Sequence, residues 1–280
     1  MTYFQFKKYV CASLSECAGE YAAYEAEKIT CHLYGLDRRA LTLVSREEAP
    51  DRTAEAEEII ARRKSGEPLA YILGKVDFFG LELCVSPACL TPRADTEVIV
   101  EKALEHLGER KARALDICTG SGCIALAVAA NSHAEVLGVD VSEAALAVAR
   151  ENAERCALSE KVRFEKRNAL AEGFLGGEKY DLILSNPPYI PTGDIASLSA
   201  EVKHEPMLAL DGGGDGLTFY RSFVSVLPSH LNEGGAIIFE IGYDQEKALC
   251  ELCAGAGLEC NIFRDYGGNV RGAVIKPKNA

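Results

Sequence analysis

Asn186-Pro187-Pro188-Tyr189 follows the apolar run Tyr180-Asp181-Leu182-Ile183-Leu184-Ser185, which predicts a buried strand with a rigid polar loop at its carboxyl end. Open α/β sheets bind their ligands at that end of the strands. Two consecutive prolines fix φ and remove backbone donors, leaving the Asn186 side chain and the Pro187 carbonyl to meet a ligand beside the Tyr189 ring. Such a pocket is shaped for a planar NH2 group. One N–H of an amide or exocyclic amine would donate to the Asn186 side-chain oxygen and the other to the Pro187 carbonyl, with Tyr189 covering the flat face. The tetrapeptide points to an enzyme acting on a planar nitrogen.

A second constellation lies upstream. Ala112 to Leu126 reads as strand, glycine turn and helix, with Gly120 and Gly122 at the turn. Lacking Cβ, they let the backbone turn tightly and approach a ligand, at which the new helix points its free N–H groups. Val136-Leu137-Gly138-Val139-Asp140 reads as the next strand, ending in an acid eighteen residues past Gly122. A carboxylate there is placed to accept hydrogen bonds from ribose hydroxyls. Together these predict a nucleoside-cofactor site.

Gly120 to Ala125 also fits the loose dinucleotide pattern G-x-G-x-x-G/A, so a dinucleotide-binding module is one alternative. Two features favour S-adenosylmethionine instead. Asp116 stands just before the turn, where a carboxylate repels a pyrophosphate but suits an ammonium or sulfonium. The planar-nitrogen loop supplies a methyl acceptor.

With these residues in place the chain resembles the HemK/PrmC family, protein-(glutamine-N5) methyltransferases of peptide chain release factors. Besides the two motifs, the resemblance rests on Pro68 to Gly74, Phe78 to Leu81, and Thr91-Pro92-Arg93-Ala94-Asp95-Thr96-Glu97. It continues through Glu205-Pro206, Ala209-Leu210, Gly213 to Leu217, Phe239 to Gly242, and Asp265 with Arg271. The Pro-Arg-x-x-Thr-Glu box is the most family-specific of these.

The resemblance implies S-adenosylmethionine held by Asp116, Cys118, Thr119, Gly120, Ser121, Gly122, Asp140, Asn168, Ala169 and Asn186. It implies a substrate held by Asn186, Pro187, Pro188, Tyr189, Arg93 and Glu97, with Asn186, Pro187 and Tyr189 catalytic. The implied partners are class I release factors, presenting the glutamine of their Gly-Gly-Gln loop, whose methylation tunes translation termination. Asn168 departs from the family pattern, which carries there an acid that recognises the adenine amino group. An asparagine oxygen still accepts from that group, and a plain strand-end turn is the competing reading.

An N6-adenine methyltransferase acting on nucleic acid would use the same Asn-Pro-Pro-Tyr loop and is the alternative function. The charge weighs against it: formal net charge is −12, whereas proteins gripping extended DNA show a basic footprint. No direct nucleic-acid partner is therefore expected. Eleven cysteines, an odd number, lie in core-like segments with no secretory signal ahead of them, and no run approaches membrane-spanning length. A cytoplasmic protein without a membrane partner is expected. Cys250 and Cys253 form C-x-x-C near Cys260, but helix spacing explains the pair better than half a metal site, and no metal is expected. Cys118 and Cys123, flanking the turn, also read as small packing residues.

These residues need a scaffold. From about Phe4 to Ser65 apolar and small residues recur at helical spacing, through Ala22, Ala26, Ile29, Leu33 and Leu36, then Ala54, Ile59 and Ile60. Between Asp77 and Thr91 short β runs with Gly80 and Pro87 predict a hairpin. Beyond Thr96 strands alternate with helices: Ala114 to Cys118, Glu135 to Asp140, Val162 to Arg167, Asp181 to Ser185, Ala236 to Ile241, Leu258 to Phe263 and Gly272 to Ile275. The last two lie too close for a crossover helix and should pair antiparallel. The expected fold is α/β: a small helical substrate-recognition domain (1–75), a β-hairpin linker (76–92) and a seven-stranded Rossmann-like class I methyltransferase domain (93–280) with its last strand antiparallel. Three further features get plain readings. Asp211 to Gly216 is a flexible loop, since it lacks the P-loop lysine. Arg93 and Glu97 read as an ordinary surface pair of little energetic weight, or, as the resemblance suggests, as a link between hairpin and pocket. His204 is given no base role.

Overall fold

The structure is a computed structural model that describes residues 1–278, and these fall into two units. The first comprises Met1–Gly74 with Ser199–His204, and the second Lys75–Leu198 with Glu205 onward. The sequence places Ser199–His204 with the sheet and the hairpin in a separate linker, and the structure differs on both. By packing, the hairpin is part of the second unit, because Phe78 and Leu83 are buried in its core.

The first unit is helical: α1 (Tyr3–Ala18), α2 (Ala22–Tyr34), α3 (Arg38–Leu43), α4 (Thr53–Lys64) and α5 (Leu69–Leu73). Thr2 starts α1 with a reciprocal capping box, its hydroxyl accepting from the Gln5 N–H while the Gln5 side chain accepts from its own. Phe6, Val10 and Leu14 form one stripe of α1, and they pack with Ala22, Ala26 and Ile29 of α2 and with Ala56, Ile59 and Ile60 of α4. Ala54, expected in this core, is exposed, and Ala56 takes its place. Leu36 lies beyond α2, which stops at Gly35 in the left-handed conformation. Arg63 is buried by this packing and is satisfied by Glu25, at 3.0 Å to each carboxylate oxygen, and by Glu201 at 3.0 Å.

The second unit opens with the hairpin of β1 (Lys75–Phe78) and β2 (Leu81–Cys84). Phe79 and Gly80 both have positive φ, the two-residue turn that matches strand twist. Then follow α6 (Glu97–Leu107), β3 (Ala112–Ile117), α7 (Cys123–Ala130), β4 (Ala134–Asp140), α8 (Glu143–Arg155), β5 (Val162–Lys166) and β6 (Tyr180–Ser185). The short α9 (Ala200–Lys203) belongs to the first unit. The chain ends with α10 (Thr218–Val226), β7 (Leu231–Glu240), α11 (Glu246–Gly255), β8 (Leu258–Arg264) and β9 (Val270–Pro277).

Seven strands form one sheet in the order β5-β4-β3-β6-β7-β9-β8. The first five are parallel, and β9 inserts antiparallel between β7 and β8, as expected. Side chains of successive residues point to opposite faces. Leu182 and Leu184 accordingly join the core with α6, α7 and α8, and Ile183 joins the one with α10 and α11. The order reverses direction between β3 and β6, so the loops after these two strands face a common crevice. No helix of the described residues is long and apolar enough to cross a membrane.

Candidate active site

Two strand ends build the site. Ile117 of β3 pairs with Ser185 of β6, and the buried Ser185 hydroxyl donates to the Ile117 carbonyl at 2.7 Å. The glycine turn and the Asn186 loop therefore leave the sheet from adjacent, tied positions. A cavity of about 290 Å³ opens there. Of the expected cofactor residues, Cys118, Thr119, Gly120, Ser121, Asp140, Asn168, Ala169 and Asn186 line it. So do Arg93 and Pro188 from the expected substrate set, while Glu97, Pro187 and Tyr189 are not on its wall.

Backbone geometry shapes the turn. Cys118 has φ of +60°, unusual for a residue with a Cβ, and Gly120 and Gly122 follow at +55° and +79°. At Gly122 a Cβ would also stand 2.8 Å from the Phe164 ring, so glycine is required twice over. Asp116 lies beneath the turn and not on the cavity wall: it is fully buried and accepts the Thr119 hydroxyl at 2.6 Å. Burial pushes its carboxyl up to about 7, against the pull of that hydrogen bond. Asp140, at the end of β4, accepts the Gly120 N–H at 3.0 Å and the Ser142 N–H at 2.9 Å. Its carboxyl is raised by burial, which outweighs those two bonds.

Asn152 of α8 was not singled out from the sequence. Its amide donates to the Ser121 and Cys84 carbonyls, both at 3.0 Å, and accepts the Cys84 N–H at 2.6 Å, lacing the turn to the hairpin. A buried asparagine in an otherwise amphipathic helix was the available signal. Asn168 folds as the turn reading expected: its side-chain oxygen accepts the Leu170 N–H at 3.0 Å while the residue still lines the cavity.

The second loop is held at the Tyr189 side. Its hydroxyl approaches Glu240 Oε1 at 3.4 Å, and Oε2 of Glu240 accepts the Thr96 hydroxyl at 2.6 Å. Glu240 is buried at the end of β7, which raises its carboxyl; the Thr96 bond and the charges of Arg271 and Arg93 oppose that shift. Burial likewise pushes the Tyr189 phenol well up, with Glu240 adding to the effect.

Arg93 and Glu97 do not pair with each other. The Arg93 guanidinium donates to Glu205 at 2.8 Å, and Glu205 also accepts the Thr91 N–H at 3.2 Å. Glu97 accepts the Phe79 N–H at 2.8 Å, which fastens the hairpin turn to α6. The stretch Asp211 to Gly216, expected to be a flexible loop, is fastened instead. The Gly212 N–H donates to Ile190, and the Thr192 N–H donates to Gly213. Cys253 is buried with α11 in the core, and Cys250 Sγ is 3.4 Å from Cys260 Sγ. Among the described residues no group of histidine, cysteine and acid side chains is arranged to hold a metal.

Residues 6–74 match the model of the PrmC N-terminal domain and 96–218 that of the methyltransferase small domain. The release factor glutamine methyltransferase of Geobacter sulfurreducens is 43% identical over 257 residues, covering 89% of this chain and 87% of the relative. That of Bacillus subtilis is 36% identical over 281 residues, covering 96% of each. The chain belongs to the release factor glutamine methyltransferase family. A methyltransferase from Pyrococcus furiosus shares the fold, with a TM-score of 0.52 at 24% identity, over 77% of this chain and 95% of that one. The methyltransferase small domain match, residues 96–218, includes both strand ends that open on the cavity.

Proposed function

We propose that this enzyme transfers a methyl group from S-adenosylmethionine to the side-chain amide nitrogen of the Gly-Gly-Gln glutamine in a peptide chain release factor, and so tunes termination. The observation that carries this reading is the Ser185–Ile117 tie, which sets Asn186 and the glycine turn on one cavity. The names of the relatives supply the substrate class.

The residues present fit the cofactor. Ser121 has a buried hydroxyl without a partner in the cavity wall, Asp140 has oxygen lone pairs left for ribose hydroxyls, and Leu170 and Ala169 offer apolar surface to a base. When bound, S-adenosylmethionine supplies an electrophilic methyl on a cationic sulfur. The work left to the chain is positioning. An amide nitrogen is a poor nucleophile because its lone pair is delocalised into the carbonyl. In this reading Asn186 on the cavity wall accepts one N–H, while the Pro187 carbonyl accepts the other and the Tyr189 ring holds the plane once the acceptor reaches past the wall, which neither of those two residues lines. Accepting both bonds favours charge development on that nitrogen. Orientation of this kind supplies roughly 7–11 kcal/mol in favourable cases. No strong base is required, because the proton is lost after methyl transfer, when the nitrogen is far more acidic.

The test is a mass spectrum of a release factor incubated with the enzyme and S-adenosylmethionine, beside duplex DNA treated the same way. One added methyl on the Gly-Gly-Gln glutamine is expected. A methyl on adenine, with the release factor unchanged, would replace this reading by the nucleic-acid one.

A further inference from the structure

Gln245 ends the turn that follows β7 and is buried at the start of α11. Its side-chain amide uses three of its four hydrogen-bonding positions, on three separate pieces of chain. Oε1 accepts the Gly242 N–H at 2.9 Å. Nε2 donates to the Tyr189 carbonyl at 2.9 Å and to the Gly216 carbonyl at 3.2 Å. Glycines let these pieces of chain approach so closely. A Cβ at Gly216 would stand 2.8 Å from Gln245 Nε2 and in collision with the Tyr189 carbonyl, and one at Gly212 would lie 2.7 Å from Tyr189 Cα.

Tyr189 is thus met at both ends, its carbonyl by Gln245 and its hydroxyl, through a longer contact of 3.4 Å, by Glu240 at the end of β7. Gln245 itself is not on the cavity wall. We infer that Gln245 is a positioning residue for methyl transfer: by clamping the Tyr189 and Gly216 carbonyls it sets the orientation of the Asn186–Tyr189 loop toward the cavity. This deepens the function proposed above and rests on it. Only an amide performs the role. A carboxylate of the same length would turn an acceptor oxygen on two carbonyls, whereas a protonated carboxyl regains one donor.

The experiment compares wild type with Gln245→Ala, Gln245→Met and Gln245→Glu, using a release factor as methyl acceptor and amide hydrogen exchange read by mass spectrometry. In the Ala and Met variants kcat is expected to fall about a hundredfold, the size of effect seen when a remote change misplaces reacting groups. The KM for S-adenosylmethionine should stay within a few-fold. Exchange should rise in segments 186–192 and 211–218 and stay unchanged in 116–124. In Gln245→Glu, kcat should recover as pH is lowered, since burial among carbonyls raises that carboxyl's pKa; wild type should show no such recovery. The Met variant keeps the volume, so its failure reports the lost hydrogen bonds and not a cavity.

Wild-type kcat in the Met variant, or a Gln245→Glu pH profile parallel to that of wild type, would overturn the inference. If wild type itself methylates no release factor, the functional reading fails. The exchange arm then decides the clamp alone, and unchanged exchange at 186–192 in the Ala variant would remove it.

Discussion

The glycine turn after β3 and the Asn186 loop after β6 share one cavity but are held in place differently. The turn is secured from within its own β-α-β-α stretch: Thr119 on Asp116 three residues away, Gly120 on Asp140 at twenty, and Asn152 on Ser121 at thirty-one. The loop is secured from outside its own stretch, by Glu240 and Gln245 at fifty-one and fifty-six residues from Tyr189, with Ser185 tied back across sixty-eight. Backbone conformation shapes the first loop, and long-range side chains hold the second. Under the proposed function a cofactor gripped along its length suits the former, and a reacting amide held at one angle suits the latter, where several distant residues over-determine a single position.

The largest expected effect separates the two loops outright. Asn186→Ala should lower kcat by about a thousandfold, near the upper range for loss of one aligned polar group at a reacting centre. Affinity for S-adenosylmethionine should change by no more than about tenfold, the size of one hydrogen bond. Isothermal titration with the cofactor and a methylation assay on the same preparation check both halves, and retained turnover would remove Asn186 from the chemistry.

Next in size is the pH response of the turn. Burial pushes the Asp116 carboxyl up to about 7 in the folded protein, from 3.8 as its ordinary value. Between those values the folded state holds a proton that the unfolded state has released, so stability contributed below pH 3.8 is lost as pH rises toward 7. At about 1.4 kcal/mol per unit the loss is on the order of 4 kcal/mol. Urea unfolding of the cofactor-free protein across this range, beside Asp116→Asn, should show the variant gaining on wild type up to about pH 7 and then running parallel. A constant difference would mean that the carboxylate is ionised in place.

The contrast between the loops also explains what the sequence made legible. Strands were readable because β3, β4 and β6 are short, mostly apolar and largely buried runs, and the antiparallel end because too few residues separate β8 from β9 for a crossover. The turn was readable because its glycines and Asp140 lie close together in the chain. The sequence points Asp116 at the ligand, whereas in the structure it is fully buried and holds the turn through Thr119; strand alternation alone does not say how deep the residue lies. The partners of the second loop were hidden for a physical reason: contacts across fifty residues depend on strand order. Only once β7 is known to lie beside β6 do Glu240 and Gln245 come next to Tyr189. The same holds for Arg93, whose partner Glu205 lies 112 residues on.

Gly122→Ala probes the turn at a smaller scale. The variant meets a left-handed φ of +79° and a ring atom at 2.8 Å, for a cost of about 1–3 kcal/mol. With half of that falling on the cofactor-bound form, affinity drops about twofold to tenfold while kcat at saturating cofactor is nearly kept. That is the converse of Asn186→Ala, and calorimetry with a saturated rate measures it. A fall in kcat with unchanged affinity would mean that the turn also orients the acceptor.

The smallest effect asks which part of Tyr189 matters. Its hydroxyl contact with Glu240 is long, 3.4 Å, whereas Glu240 is firmly held by Thr96 at 2.6 Å. Tyr189→Phe keeps the ring and the backbone carbonyl that Gln245 clamps, and removes only this weak bond. A hydrogen bond of that kind contributes about 0.5–1.5 kcal/mol, so kcat should fall about threefold to tenfold, with its pH profile unchanged. The methylation assay across a pH series gives both quantities. A loss as deep as that of Asn186→Ala would show that the phenol takes part in proton movement. The loop would then be a catalytic dyad with Glu240, and not a clamp built from ring, amide and carbonyl.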